Sequence, residues 1–219
     1  MKKLLLSAFV ICLAGTSIAQ ESPLWMRHCA LSPDGTTIAF TYKGDIYTVP
    51  STGGRATQIT TNPAFDTEPV WSPDSKQIAF ASDRMGSLDV FVVSSEGGAP
   101  QRLTTHSGSE KPVAYKDNKH ILFTANIAPS AEDAGFPSGQ FQQVYEVAVT
   151  GGRPAMFSSM PMECISINKE GVMLYQDKKG YEDYWRKHQV SPIARDIWTY
   201  TPGKKPVYQK QTTFGGEDR

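Results

Sequence analysis

Ser32-Pro33-Asp34-Gly35-Thr36-Thr37-Ile38-Ala39-Phe40 returns as Ser72-Pro73-Asp74-Ser75-Lys76-Gln77-Ile78-Ala79-Phe80. Weaker copies run from Val113 to Phe123, ending Ile121-Leu122-Phe123, and from Ile165 to Tyr175, ending Met173-Leu174-Tyr175. The closing aromatic residues are spaced 40, 43 and 52 residues apart. A second run follows each copy: Asp45-Ile46-Tyr47-Thr48-Val49, Asp89-Val90-Phe91-Val92-Val93, Gln143-Val144-Tyr145-Glu146-Val147 and Asp196-Ile197-Trp198-Thr199-Tyr200. Glycine pairs come next at Gly53-Gly54, Gly97-Gly98 and Gly151-Gly152. Ile59-Thr60-Thr61, Leu103-Thr104-Thr105 and Gln211-Thr212-Thr213 form a last motif. A period of about 40–45 residues with several short strand-like runs per unit is the signature of a β-propeller.

Each motif has a local cause. Pro-Asp-Gly presets one backbone angle at proline and permits a positive φ at glycine, which makes a tight turn. The β-branched and aromatic residues on either side suit a pleated, half-buried strand. The second unit therefore reads as strand A at Val70-Trp71-Ser72, strand B from Gln77 to Ala81, strand C from Asp89 to Val93 and strand D from Gln101 to Thr104. The expected fold is all-β, a propeller of four-stranded blades at about 28–61, 69–105, 112–158 and 164–213. Thr212-Thr213-Phe214-Gly215-Gly216-Glu217-Asp218 parallels Thr104-Thr105-His106-Ser107-Gly108-Ser109-Glu110, which leads into the third copy. The chain is thus expected to hold four blades and the entry to a fifth, an incomplete ring. Apolar residues on the flanks of such a ring, such as Ile38, Phe40, Met173 and Tyr175 if they face outward, would meet water.

The 22 basic and 22 acidic residues among 219 leave no basic excess for binding nucleic acid. Residues 1–19 read as a signal peptide: Lys2 and Lys3, an apolar run from Leu4 to Ala14, then Ser17-Ile18-Ala19 as the cleavage site. That run is too short to span a bilayer, and the remaining residues 20–219 carry no second apolar span. The expectation is an exported chain with no membrane span after cleavage.

A search for catalytic motifs finds no Gly-x-Ser-x-Gly, His-Glu-x-x-His, Cys-x-x-Cys or phosphate-binding loop. His28, His106, His120 and His188 share no ligand spacing. No catalytic residue, cofactor or metal site is expected in this chain. Asp66, Glu68, Glu110 and Glu217 recur between strand D and the next strand A, where they could bind a cation or serve as solvated turn caps. Cys29 and Cys164 both fall near the position of Pro69 in non-adjacent units, so no bridge between them is expected.

Two insertions, residues 124–142 and 176–195, lie between strands B and C and should rise from one face. Long loops on a rigid scaffold commonly carry binding. Tyr181, Tyr184, Trp185, Arg186, Lys187 and His188 make the second aromatic and basic, a candidate peptide or partner loop or a packing anchor.

Ser-Pro-Asp-Gly-x-x-Ile-Ala-Phe with Asp-Ile-Tyr and Gly-Gly resembles the repeats of TolB and of tricorn-type proteases. Trp25-Met26-Arg27, Phe40-Thr41-Tyr42-Lys43-Gly44-Asp45-Ile46-Tyr47 and Gly180-Tyr181-Glu182-Asp183 with Trp185-Arg186-Lys187-His188 are similar to the N-terminal propeller of exported tricorn-like serine peptidases. The resemblance implies a periplasmic, non-catalytic propeller segment that guides or gates peptide substrates. The peptidase domain and a PDZ module would lie elsewhere in the same polypeptide. Its partners would then be a peptide or protein substrate, or those further domains. The alternative is a stand-alone TolB-like interaction module of the cell envelope.

Overall fold

The computed structural model describes residues 25–127, 142–178 and 195–212. It is built from sixteen strands in four antiparallel sheets, each a simple up-and-down blade of a β-propeller. Blade one comprises β1 (Arg27–Leu31), β2 (Thr37–Tyr42), β3 (Asp45–Pro50) and β4 (Thr57–Gln58). Blade two comprises β5 (Asp66–Trp71), β6 (Gln77–Ser82), β7 (Asp89–Ser94) and β8 (Gln101–Arg102). Blade three comprises β9 (Lys111–Asp117), β10 (His120–Ala125), β11 (Gln143–Ala148) and β12 (Ala155–Ser158). Blade four comprises β13 (Met162–Ile167), β14 (Met173–Asp177), β15 (Ile197–Thr201) and β16 (Val207–Lys210). The first strands of the blades line the inside, β1 against β5, β5 against β9 and β9 against β13.

The Ser-Pro-Asp turn is a closed hydrogen-bond unit. Ser72 Oγ donates to Asp74 Oδ1 at 2.7 Å and accepts from the Gln77 amide at 2.9 Å, while Asp74 Oδ1 accepts from the Lys76 amide at 3.1 Å. Ser32 and Asp34 repeat the arrangement at 2.6 Å, with Thr37 and Thr36 as the amide donors. The hydroxyl donated by Ser72 is the main reason Asp74 titrates below the ordinary aspartate range. Neighbouring turns are also tied together, because the Asp74 amide donates to Asn118 Oδ1 at 3.1 Å. Ser72 is buried, so Ser72→Ala is expected to cost about 1–2 kcal/mol by leaving the Gln77 amide without its acceptor. Urea denaturation would check this through the midpoint at unchanged slope.

The threonine motif explains the short fourth strands. After β4 and β8 the chain leaves the ladder, and a side chain continues it. Thr60 Oγ1 accepts from the Ile46 amide and Thr104 Oγ1 from the Val90 amide, both at 2.9 Å, and Thr212 Oγ1 from the Ile197 amide at 3.2 Å. The glycine pairs have an equally local cause. Gly98 sits at φ 119°, a conformation that a side chain would strain.

Three apolar seams hold the blades. Ala39, Ile46 and Ile59 of blade one meet Trp71, Ile78, Phe80, Phe91 and Val93 of blade two. Ala79, Val90, Val92 and Leu103 then meet Tyr115, Ile121, Phe123, Tyr145 and Val147. Leu122 and Val144 meet Met162, Ile165, Met173 and Tyr175. Alternation along each strand thus presents one face to the preceding blade and the other to the following blade. The flank expectation needs correction for Met173 and Tyr175, which face blade three and are buried. Phe40 is buried too, stacked on Tyr47, and Ile38 is half-buried. Exposed apolar side chains lie elsewhere, among them Leu174 and Val207 of blade four, 45% and 57% exposed.

The first strand of blade two begins at Asp66, four residues before the expected Val70. A bulge hides it. Thr67 pairs with Ala81 and Val70 with Ala79, with Glu68 between them at φ 55°. Bulges at His28 (φ 50°) and Cys164 (φ 53°) mark β1 and β13 in the same place. The extra residue breaks the two-residue alternation by which strands are read. Blade three has Pro112 at this position, and proline cannot take a positive φ. By register Cys29 matches Pro69, whereas Cys164 matches Glu68, one residue from the expected place. Both cysteines are free and exposed.

Candidate ligand cleft at the inner strands

Near the starts of the inner strands stand Arg27, Glu68, Lys111 and Glu163. Toward their ends Leu31, Trp71, Tyr115 and Ile167 form an apolar level, beyond which β9 continues to Lys116 and Asp117. Register sets that level, because the four residues lie opposite Ile38, Ile78, Ile121 and Met173.

At the apolar end is a cleft of about 580 Å³ to which all four blades contribute. Pro33, Trp71, Pro73, Tyr115, Ile165 and Ile167 give it apolar walls. Trp71 is fixed by donating its indole N–H to the Ala30 carbonyl at 3.0 Å. Tyr115 is buried, and its hydroxyl has no hydrogen-bond partner among the described residues. Burial, with a smaller push from Asp74, holds that phenol protonated far above neutral pH. Lys116 pairs with Glu146 at 2.6 Å, and Asp117 with His120 at 3.0 Å. Lys169, also on the rim, is exposed. The cleft can therefore hold an apolar segment while offering the Lys169 ammonium to a polar backbone.

A second groove of about 380 Å³ lies between blades one and two, bordered by Asp34, Arg55, Ser75 and Glu96. It has a more polar lining and draws on two blades only.

Of the recurring carboxylates, Asp66 and Glu110 are buried, and Asp66 and Glu68 are ion-paired. Asp66 is buried and receives Arg84 Nη2 on both oxygens, at 2.9 and 3.0 Å. Glu68 receives Lys111 Nζ at 2.7 Å across the boundary of blades two and three. Glu110 is fully buried. Neither Asp66 nor Glu110 is a solvated cap, and among the described residues no group of three or more His, Cys, Asp or Glu side chains could hold a metal ion. His28, His106 and His120 lie in three different blades or loops. Tyr181, Tyr184, Trp185, Arg186, Lys187, His188 and Glu217 lie outside the described residues. Sequence reasoning missed the cleft, whose residues are ordinary strand ends until the blades gather them. The signal that existed was the recurrence of Trp71, Tyr115 and Ile167 directly before or within each turn.

The family described as tricorn protease N-terminal beta propeller domain matches residues 23–219. Over 108 residues the chain is 32% identical to a Bacillus subtilis protein named uncharacterized peptidase YuxL, covering 44% of this chain and 16% of that protein. Over 77 residues it is 39% identical to tricorn protease homolog 1 of Streptomyces coelicolor, covering 35% of this chain and 7% of that protein. The chain thus spans a minor part of these relatives. Among solved structures, the tricorn protease superposes with a TM-score of 0.66 at 16% identity, covering 90% of this chain and 19% of that one. A putative TolB from Agrobacterium tumefaciens superposes at 0.57 with 21% identity, covering 86% and 69%. These structural likenesses establish a shared fold.

Proposed function

The chain belongs to the tricorn protease N-terminal β-propeller family, and on that premise we propose that it is a non-catalytic recognition module. In this reading it takes extended peptide segments into the inner-strand cleft and guides them to a serine peptidase domain carried elsewhere in the polypeptide. The observation that carries it is the cleft itself: apolar walls drawn from all four blades, with the exposed Lys169 on the rim. An extended peptide brings alternating apolar side chains and unpaired backbone carbonyls, which match such a lining. The basic start and apolar run of residues 1–19 support export to the periplasm as part of the proposal.

The test is photo-crosslinking. A ten-residue peptide of alternating apolar and polar residues, carrying one photoreactive phenylalanine, is irradiated with the full chain and the adducts are mapped by mass spectrometry. Adducts are expected on 113–118 and 165–169, reduced about threefold or more by Lys169→Glu, with no cleavage of the peptide. Adducts confined to 181–188 would move the recognition site to that loop. Labelling spread evenly over the surface would defeat the peptide reading and favour a module that binds folded partners.

A further inference from the structure

We propose that the seam between blades two and three is a pH-gated joint, closed while Glu110 holds its proton and loosened when Glu110 ionises. The argument begins with register. Asp66 lies opposite Ser82, and because Lys111 pairs with Thr124, Glu110 lies opposite Ala125 in the same slot one blade on. The backbone confirms the equivalence: the Asp66 amide donates to the Gly44 carbonyl and the Glu110 amide to the Leu88 carbonyl, both at 2.7 Å. In the next seam the slot is taken by Met162, opposite Asp177. The three seams thus carry an aspartate, a glutamate and a methionine in one buried position.

Their partners differ. Two residues beyond Ser82 stands Arg84, which holds Asp66. Two residues beyond Ala125 stands Ile127, packed on the apolar seam. Glu110 is 0% exposed, and neither carboxyl oxygen closes a hydrogen bond.

Among the described residues, the groups around it offer no free cation. From blade two come Asp89, also 0% exposed, and Arg102, which is engaged with Asp89 at 2.9 Å. The Thr104 hydroxyl and the backbone of His106 lie near enough to act on Glu110, and the His106 ring is turned to the Gly108 amide. From blade three come Lys111, engaged with Glu68, and the buried, uncharged Gln143. Ionising Glu110 therefore sets two buried carboxylates against one guanidinium. Burial, the largest cause, pushes Glu110 up to about 7; the Thr104 hydroxyl draws it back and Asp89 pushes it further up. Because the folded value exceeds that of an unfolded glutamate, the contribution of Glu110 to stability is fully present in acid and is lost as pH rises toward and through about 7.

The direct experiment follows the Glu110 carboxyl carbon by NMR in the full chain. A midpoint near 7 is expected, and one at or below about 4.5 overturns the proposal. Urea unfolding of the chain and of Glu110→Gln gives the energetic readout. Relative to the variant, the unfolding constant should rise about tenfold per pH unit over the range where only the folded state holds the proton, roughly two to three orders of magnitude in all. An identical pH dependence for both proteins rejects the joint. Amide exchange in β7 to β10, corrected for its intrinsic pH dependence, should lose protection at pH 8 in the chain but not in Glu110→Gln. Loss elsewhere alone would reject the seam as the place that opens. If the variant fails to fold, the NMR midpoint still decides.

Discussion

Leu122→Ala is expected to destabilise the protein by about 2–5 kcal/mol, and Leu174→Ala by less than about 1 kcal/mol. The two leucines occupy one register position in consecutive blades. Leu122 pairs with Ala114 and Glu146, Leu174 with Ser166 and Thr199. Chemistry and backbone are therefore matched, and what differs is the neighbour. Leu122 is sealed in the seam with Val144, Met162 and Met173, and is 0% exposed. Removing its side chain opens a cavity there as well as forfeiting transfer energy. Leu174 is 45% exposed, so alanine gives up little burial and leaves no cavity. Set against a total stability of about 5–15 kcal/mol, the first loss is severe and the second minor. Denaturant titration of the two variants side by side checks this, and equal losses would mean that Leu174 is covered in solution.

Arg84→Met is expected to cost about 3–5 kcal/mol, because it strands the Asp66 carboxylate in the seam of blades one and two. Asp66 is 0% exposed, and the guanidinium contributes both of its hydrogen-bonded contacts. Arg84 also lies over the Phe91 ring at 4.5 Å and the Phe80 ring at 5.5 Å, so its loss removes packing too. The double substitution Asp66→Met with Arg84→Met should recover most of the loss. Met162 already fills the equivalent slot two seams later, among apolar neighbours, at 1% exposure. A double-mutant cycle measures the coupling, expected at about 2 kcal/mol or more in favour of the double variant. Purely additive losses would show that the pair acts through packing and not through compensation of a buried charge.

Legibility of the fold followed the length scale of each determinant. The turn at Ser72-Pro73-Asp74 was readable because its hydrogen bonds close within five residues. Strand identities from β-branched and aromatic runs were readable for the same reason, as was the order of the four motifs that distinguishes a propeller. The beginning of β5 was not, since Glu68 at positive φ interrupts the pattern by which a strand is recognised. Asp66 and Glu110 look alike in sequence, as acidic residues before a first strand. Their environments separate through Arg84 and Ile127, residues 17–18 positions away that register alone brings opposite them.

The sequence by itself determined the all-β repeat architecture, because period, turn chemistry and strand propensity are all local properties of a chain. It likewise made both faces of each blade's second strand apolar, through Ile38-Ala39-Phe40, Ile78-Ala79-Phe80, Ile121-Leu122-Phe123 and Met173-Leu174-Tyr175. Tertiary structure alone decided which of those faces are covered, as Leu122 and Leu174 show, since coverage depends on the neighbouring blade. It also decided which carboxylates are compensated, and it assembled the cleft from Pro33, Trp71, Tyr115 and Ile167. Those four residues span 134 positions and meet only because each closes the inner edge of a different blade.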